Sequence, residues 1–284
     1  CEYYGLPFIN LKFPIDERPS LEQIEQILKE NQDIALVYIT HNETGTGILN
    51  PIREIGALAH AYGAIFVVDT TSTYAMRPIN IKNDNIDFCM ASAQKGLMAM
   101  TGISFVVGKR TIIEQSKTYP KRSYYCNLYM QYHYFEAHGE MHFTPPVQTV
   151  YAMRQAIKEY FAEGEQKKWE RHTRVFEALH KGIERLGFQN IIKRDWQAGL
   201  VVTVKYPDDP NWSFSAIHDY CYKRGFTIYP GKINNTETFR LCALGAIDQS
   251  DIETFFEVFE AGLREMEVSL PVHYGLEEQT DERE

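Results

Sequence analysis

Residues 64–69 read AIFVVD and residues 86–97 read IDFCMASAQKGL. The apolar run in each is too continuous for a half-exposed strand and too short for a helix, which suits strands buried on both faces of a parallel sheet. Asp69 closes the first run and Lys95 follows the second, 26 residues later. Consecutive parallel strands at this spacing set a carboxylate and an amine at the same sheet edge, where open α/β sheets bind ligands. Singly, neither residue says much, because acids commonly end strands and most lysines are solvated surface charges. The setting of Lys95 is what distinguishes it: Ala91, Ser92 and Ala93 precede it and the uncharged GLMAMTGISFVVG follows from Gly96. A lysine in such surroundings is expected to be partly desolvated, which favours the neutral amine that condenses with an aldehyde.

Working outward, PSLEQIEQILKEN (residues 19–31) reads as a helix with Leu21, Ile24, Ile27 and Leu28 on one face and Ser20 as N-cap. IALVYIT (34–40) reads as a buried strand, and PIREIGALAHAYG (51–63) as a helix with proline at its first turn and glycine at its end. With AIFVVD, DFCMAS and ISFVVGK, this alternation predicts an α/β fold: a mostly parallel large-domain sheet with helices on both faces. Residues 119–142, crowded with Tyr and His, predict an ordered loop and a short helix. PPVQTVYAMRQAIKEYFAEG opens a long helix, and its break at Gly164 is the expected domain boundary. Beyond it, GLVVTVKYP, a helix from SFSAIHDYCYKRG, the strands FTIYP and ETFRLCALG, and a helix over 250–268 predict a small C-terminal α+β domain. The expected division is therefore 1–164 for the large domain, 165–270 for the small domain and 271–284 for an acidic tail. The opening CEYYGLPFINLKFP reads as the last turn of a helix ending at Gly5, followed by a strand. An N-terminal part is thus expected to be missing ahead of Cys1.

The chain has 284 residues, enough for a substantial core and more than one domain, and carries a formal charge of −9. That acidity argues against a nucleic-acid or anionic-membrane partner, while leaving room for a local cationic site for a small anion. Five cysteines without a CxxC, two of them within apolar runs, read as reduced thiols of a cytoplasmic protein. No apolar segment approaches the roughly 18 residues of a membrane span, and no secretory signal is visible.

A carboxylate for a pyridinium nitrogen and a lysine for a Schiff base are what pyridoxal 5'-phosphate requires. With HNETGTGILNPI at 41–52, FTPP at 143–146, IYPGK at 228–232 and FRLCALG at 239–245, the chain resembles the fold-type I PLP-dependent aminotransferases of class V. The motifs look closest to the 2-aminoethylphosphonate:pyruvate group, over about residues 4–268. The resemblance implies Lys95 as the Schiff-base lysine and proton carrier and Asp69 as the partner of the ring nitrogen. It further implies Thr44 near the ring oxygen, Thr144 on the cofactor phosphate of a neighbouring subunit, and Arg240 on the substrate's acidic group. A homodimer follows from the Thr144 role, and the substrates implied are an amino donor with an anionic head and a 2-oxo acid acceptor. The family's upstream Ser/Gly/Thr phosphate loop is not in the sequence and is expected to precede Cys1.

Plainer readings exist for each residue. TGTG at 44–47 also fits a turn before the helix at Pro51, Thr144 a simple N-cap, and Arg240 a structural ion pair. Gln94 and Gly45 depart from the phosphonate group, and Gln94 is more like the alanine or serine:glyoxylate branch, which is the alternative activity. A non-catalytic aminotransferase-like fragment is the other alternative. A metal site from His133, His138 and His142 with Glu136 and Glu140 is disfavoured, because Gly139 interrupts the helical spacing and there is no HExxH; no metal is expected.

Overall fold

The structure is a computed structural model that describes residues 1–233 and 236–275. Most of the acidic tail, residues 276–284, lies outside the described residues. By packing, the chain divides into two compact units: Cys1–Asn42 with Asn50–Gln166, and Glu43–Leu49 with Lys167 onward.

In the first unit, α1 (Leu21–Glu30) starts where Ser20 accepts the Gln23 backbone N–H, the cap its sequence calls for. Strand β1 (Leu36–Thr40), helix α2 (Ile52–Ala61), and strands β2 (Ile65–Asp69), β3 (Phe88–Ser92) and β4 (Ser104–Gly108) follow. The strands form one sheet in the order β1-β2-β3-β4. The first three are parallel, in a register that sets Thr40 beside Asp69 and Asp69 beside Met90, and β4 runs antiparallel to β3. Ile24 and Leu28 of α1 and Ile52, Ile55 and Ala59 of α2 pack against Phe66, Val68 and Cys89. Burying such a side chain contributes about 1.5–3 kcal/mol, so this cluster holds the strands in plane and fixes where their ends fall. Helices α3 (Arg110–Gln115), α4 (Leu128–His138) and α5 (Val147–Glu163) complete the unit.

In the second unit lie most of α6 (Glu165–Arg185), then β5 (Val201–Lys205), α7 (Phe214–Tyr222), β6 (Tyr229–Pro230), β7 (Thr238–Cys242) and α8 (Gln249–Glu265). The sheet is antiparallel, in the order β5-β7-β6. Val202, Val204, Phe239 and Leu241 meet Phe176, Leu179 and Ile183 of α6, Ile217 of α7, and Phe255, Phe259 and Leu263 of α8 in one apolar core. An Asp248 capping box starts α8. The small α+β architecture is as expected.

Three sequence expectations need correction. Residues 6–14 form no strand, although Leu11 and Phe13 pack on the core below the sheet. Strand β1 is not buried on both faces: as an edge strand it leaves Leu36 and Tyr38 about half exposed. FTIYP contributes only Tyr229 and Pro230 to a ladder, opposite Arg240 and Phe239.

Candidate active site

Asp69 is the last residue of β2 and Lys95 stands three residues past the end of β3, so both are at the carboxyl edge of the same parallel sheet. Both are partly buried. Asp69 Oδ1 accepts the Thr71 backbone N–H at 2.7 Å, and its other oxygen has no hydrogen-bond partner among the described residues. The Lys95 side chain likewise has no hydrogen-bond or ion-pair partner among them. Its backbone is held in a tight turn, with Met98 N–H donating to the Lys95 carbonyl and Ala99 N–H to that of Ala93.

A second turn, residues 70–74, supports the first. Thr70 donates both its N–H and its hydroxyl to the Met90 carbonyl on β3, and Tyr74 N–H closes back on Thr70 O at 2.7 Å. The two turns touch at Gly96, where a Cβ would lie 2.0 Å from the Tyr74 carbonyl oxygen; only glycine permits this approach. Beneath them, His41 and Asn42 continue β1. His41 donates its N–H to the Asp69 carbonyl, its Nδ1 lies 2.9 Å from Thr73 Oγ1, and Asn42 Nδ2 donates to Ser72 Oγ. All four side chains are buried. Burial, reinforced by the Arg77 charge, holds the His41 imidazole down to about 4, so it is neutral at pH 7. Sequence reasoning missed this polar layer. Its signal was the hydroxyl run Thr70-Thr71-Ser72-Thr73 immediately after a strand-ending acid.

Thr44 belongs to the second unit, within the loop 43–49. Glu43 O accepts the N–H groups of Thr46 and Gly47, Gly47 O accepts from Ala198 N–H, and Gly45 O accepts from the Thr203 hydroxyl. Gly47, at φ +93°, passes so close to Val201 that a Cβ would sit 2.4 Å from its carbonyl oxygen. Arg240, on β7 between the buried Phe239 and Leu241, is itself buried. Its Nη1 donates to the Thr44 carbonyl at 2.9 Å and its Nε to the Pro230 carbonyl at 3.2 Å. Arg240 is therefore oriented by backbone carbonyls; it makes no carboxylate ion pair among the described residues. What links it to Thr44 is the threonine's backbone carbonyl, and Thr44 as a residue is partly exposed.

Thr144 is exposed and does not cap α5; the cap position is Pro146, with no side-chain bond. That removes the plain N-cap reading. The tyrosine- and histidine-rich segment is used for ring packing: His133 stacks on Tyr129, and His142 lies against Tyr134 and Phe143. Among the described residues no group of three His, Cys, Asp or Glu side chains comes together. No helix among them is long and apolar enough to cross a membrane.

The donor set suits pyridoxal phosphate. An acceptor oxygen on Asp69 is open to a protonated ring nitrogen, and a half-buried amine lacks a competing carboxylate. Asn42 Oδ1 and Ser92 Oγ, at the same sheet edge, are buried without a hydrogen-bond partner, and unsatisfied groups of this kind mark sites where a ligand or water completes the bonding.

Fold and donor set together define a PLP-dependent transferase of fold type I. The model of the family "Aminotransferase class-V" matches residues 9–228, and the chain belongs to that family. It is 33% identical over 271 residues to 2-aminoethylphosphonate–pyruvate transaminase 1 of Cupriavidus pinatubonensis, covering 95% of this chain and 71% of that protein. Among solved structures, pyridoxamine–pyruvate aminotransferase of Mesorhizobium loti superposes with a TM-score of 0.83 at 20% identity, over 92% of this chain and 67% of that one. Alanine–glyoxylate aminotransferase of Nostoc sp. gives 0.80 at 23% identity, over 89% and 68%. At such identities the structural likeness speaks for the fold alone.

Proposed function

We propose that the protein catalyses PLP-dependent transamination of 2-aminoethylphosphonate with pyruvate, giving phosphonoacetaldehyde and L-alanine. The observation that carries this reading is the pair at the carboxyl ends of β2 and β3, a carboxylate with an open oxygen and an unpaired, half-buried amine. The names of the relatives supply the choice of donor and acceptor.

When bound, pyridoxal phosphate supplies an aldehyde for the donor's amine and a ring that takes up the electron pair left as the reacting carbon loses its proton. Asp69 holds the proton on the ring nitrogen, which keeps the ring electron-poor. Lys95 would hold the cofactor and, with its amine, would take and return the proton of the donor's reacting carbon, as base and then acid. In the second half-reaction it moves a proton in the reverse sense for pyruvate. Thr44 donates its hydroxyl to the ring oxygen or to the substrate. Arg240 takes the substrate's acidic group; a planar fork suits phosphonate and carboxylate alike. With Nε and Nη1 held by carbonyls, its orientation is set before substrate arrives. Thr144 serves the cofactor phosphate of a second copy, so the active unit is a homodimer. The exposed Tyr124, Tyr125, Phe135, Met141 and Tyr151 in the same part of the chain support such a contact.

The alternative, an alanine- or serine:glyoxylate activity, is favoured only by Gln94 ahead of Lys95. Purified chain supplied with pyridoxal phosphate is assayed with 2-aminoethylphosphonate and pyruvate, and separately with serine and glyoxylate. Alanine formation from the first pair is expected. In Lys95→Ala it is expected to fall roughly a thousandfold, together with loss of the borohydride-trapped cofactor on residue 95. Turnover with serine and glyoxylate but none with the phosphonate would sink the substrate assignment.

A further inference from the structure

We infer that His41, through Thr73, is a positioning residue that sets where Asp69 and Lys95 stand. The inference rests on the aminotransferase reading for its catalytic consequence, but its structural core does not need the cofactor. His41 reaches the pair by two routes. Its backbone N–H donates to the Asp69 carbonyl at 2.8 Å, fixing the last residue of β2 against the end of β1. Its imidazole Nδ1, 2.9 Å from Thr73 Oγ1, ties down the turn that follows Asp69. That turn is compact: Thr73 and Tyr74 both donate their N–H to Thr70 O, at 2.9 and 2.7 Å. Its far end, the Tyr74 carbonyl, is the surface on which Gly96 rests, with no room even for a methyl group. A displacement of Thr73 therefore cannot be absorbed before it reaches Lys95, because backbone meets backbone at that contact and close-packed interiors transmit strain.

The chemistry of the pair suits a fixed support. Thr73 is fully buried and His41 is 6% exposed, so water does not compete for their bond. The imidazole is held neutral at pH 7 by burial and by the Arg77 charge, so the bond keeps a single protonation state there. Its role is that of an orienting group; it lies behind Asp69 and is not expected to exchange protons with substrate.

Two variants break the link and one restores it. Thr73→Val removes the hydroxyl at constant shape, His41→Leu removes the ring nitrogen, and His41→Asn returns an amide that can donate or accept at the Nδ1 position. Hydrogen exchange on the chain without cofactor is the deciding measurement. Amides of 94–99 are expected to exchange roughly three- to tenfold faster in T73V and H41L and to recover in H41N, while those of β5 in the second unit stay unchanged. On the chain loaded with pyridoxal phosphate, the cofactor's visible absorbance band is expected to weaken or shift in T73V and H41L and to recover in H41N. Unchanged protection of 94–99 in either folded variant overturns the inference, as does acceleration spread evenly over both units, which would mean a merely structural role. If exchange responds as expected but no variant, nor the parent, shows a cofactor absorbance, the failure belongs to the aminotransferase reading.

Discussion

Gly96 and Arg240 each fix the backbone around them through a single close contact or bond set. Gly96→Ala would place a Cβ 2.0 Å from the Tyr74 carbonyl oxygen, so one of two hydrogen-bonded turns must shift. Overpacking of this kind costs about 1–3 kcal/mol, and the expected outcome in a denaturant titration is a lower midpoint with unchanged slope. Cofactor retention should fall further than stability alone explains, because one of the two turns carries Lys95 and the other follows Asp69. Arg240 makes a different point. Arg240→Lys keeps the charge but cannot hold the Thr44 and Pro230 carbonyls and present a fork at the same time. We expect the KM for the phosphonate donor to rise roughly tenfold, the scale of one lost charge-assisted bond, with kcat less affected. A KM equal to that of the parent would remove Arg240 from substrate recognition.

At the scale of elements, the strands are pinned at both ends by polar groups of opposite purpose. At the carboxyl end are open groups, and at the amino end is a closed network around Asp87, the residue just before β3. Its carboxylate, 3% exposed, accepts the Phe66 N–H at 2.7 Å and pairs with His60 Nε2 at 2.9 Å and Lys109 Nζ at 2.5 Å. This joins β2, β3, α2 and the residue that opens α3. Asp87→Ala leaves a buried N–H and a ring nitrogen without their acceptor, and the expected loss of stability is about 3 kcal/mol, measured by thermal unfolding. Much of this layer was legible in the sequence and some of it was not. The periods of α1, α2 and α8 and the continuous runs of β2 and β3 show on their face, and Asp69 and Lys95 follow because a strand's end is also the sheet's binding edge. The reversal of β4 is not encoded in a run such as ISFVVG, since the same residues suit either direction. The Arg240–Thr44 bond joins residues 196 apart, and the His41–Thr73 bond residues 32 apart. Such pairings depend on register and packing, which no local pattern reports. The tyrosine-rich 119–142 has no period because its rings pack on one another and bury little of α4.

For the whole molecule, acid provides a test that separates these two polar layers. His41 titrates at about 4 when folded and at 6.5 in the open chain, so below pH 6.5 the unfolded state binds a proton that the folded state refuses. Stability contributed by the neutral ring is complete above that pH and is lost progressively as the pH falls from 6.5 toward 4. The total is on the order of 3 kcal/mol. Asp87 acts lower. Burial alone would raise its carboxyl, but bonds from Lys109, the Phe66 N–H and His60 outweigh that and leave it below the ordinary 3.8. Its contribution is present above pH 3.8 and is lost only as pH falls through its depressed folded value. The pH profile of the unfolding midpoint is therefore expected to descend in two limbs. His41→Asn, which keeps a partner for Thr73 but cannot titrate, should flatten the limb between 6.5 and 4 and leave the lower one. Asp87→Ala should do the reverse. A parent profile flat from pH 6.5 to 4.5 would mean that His41 is free to protonate in the folded chain, and with it would go the dry, closed layer on which the placement of Asp69 and Lys95 depends.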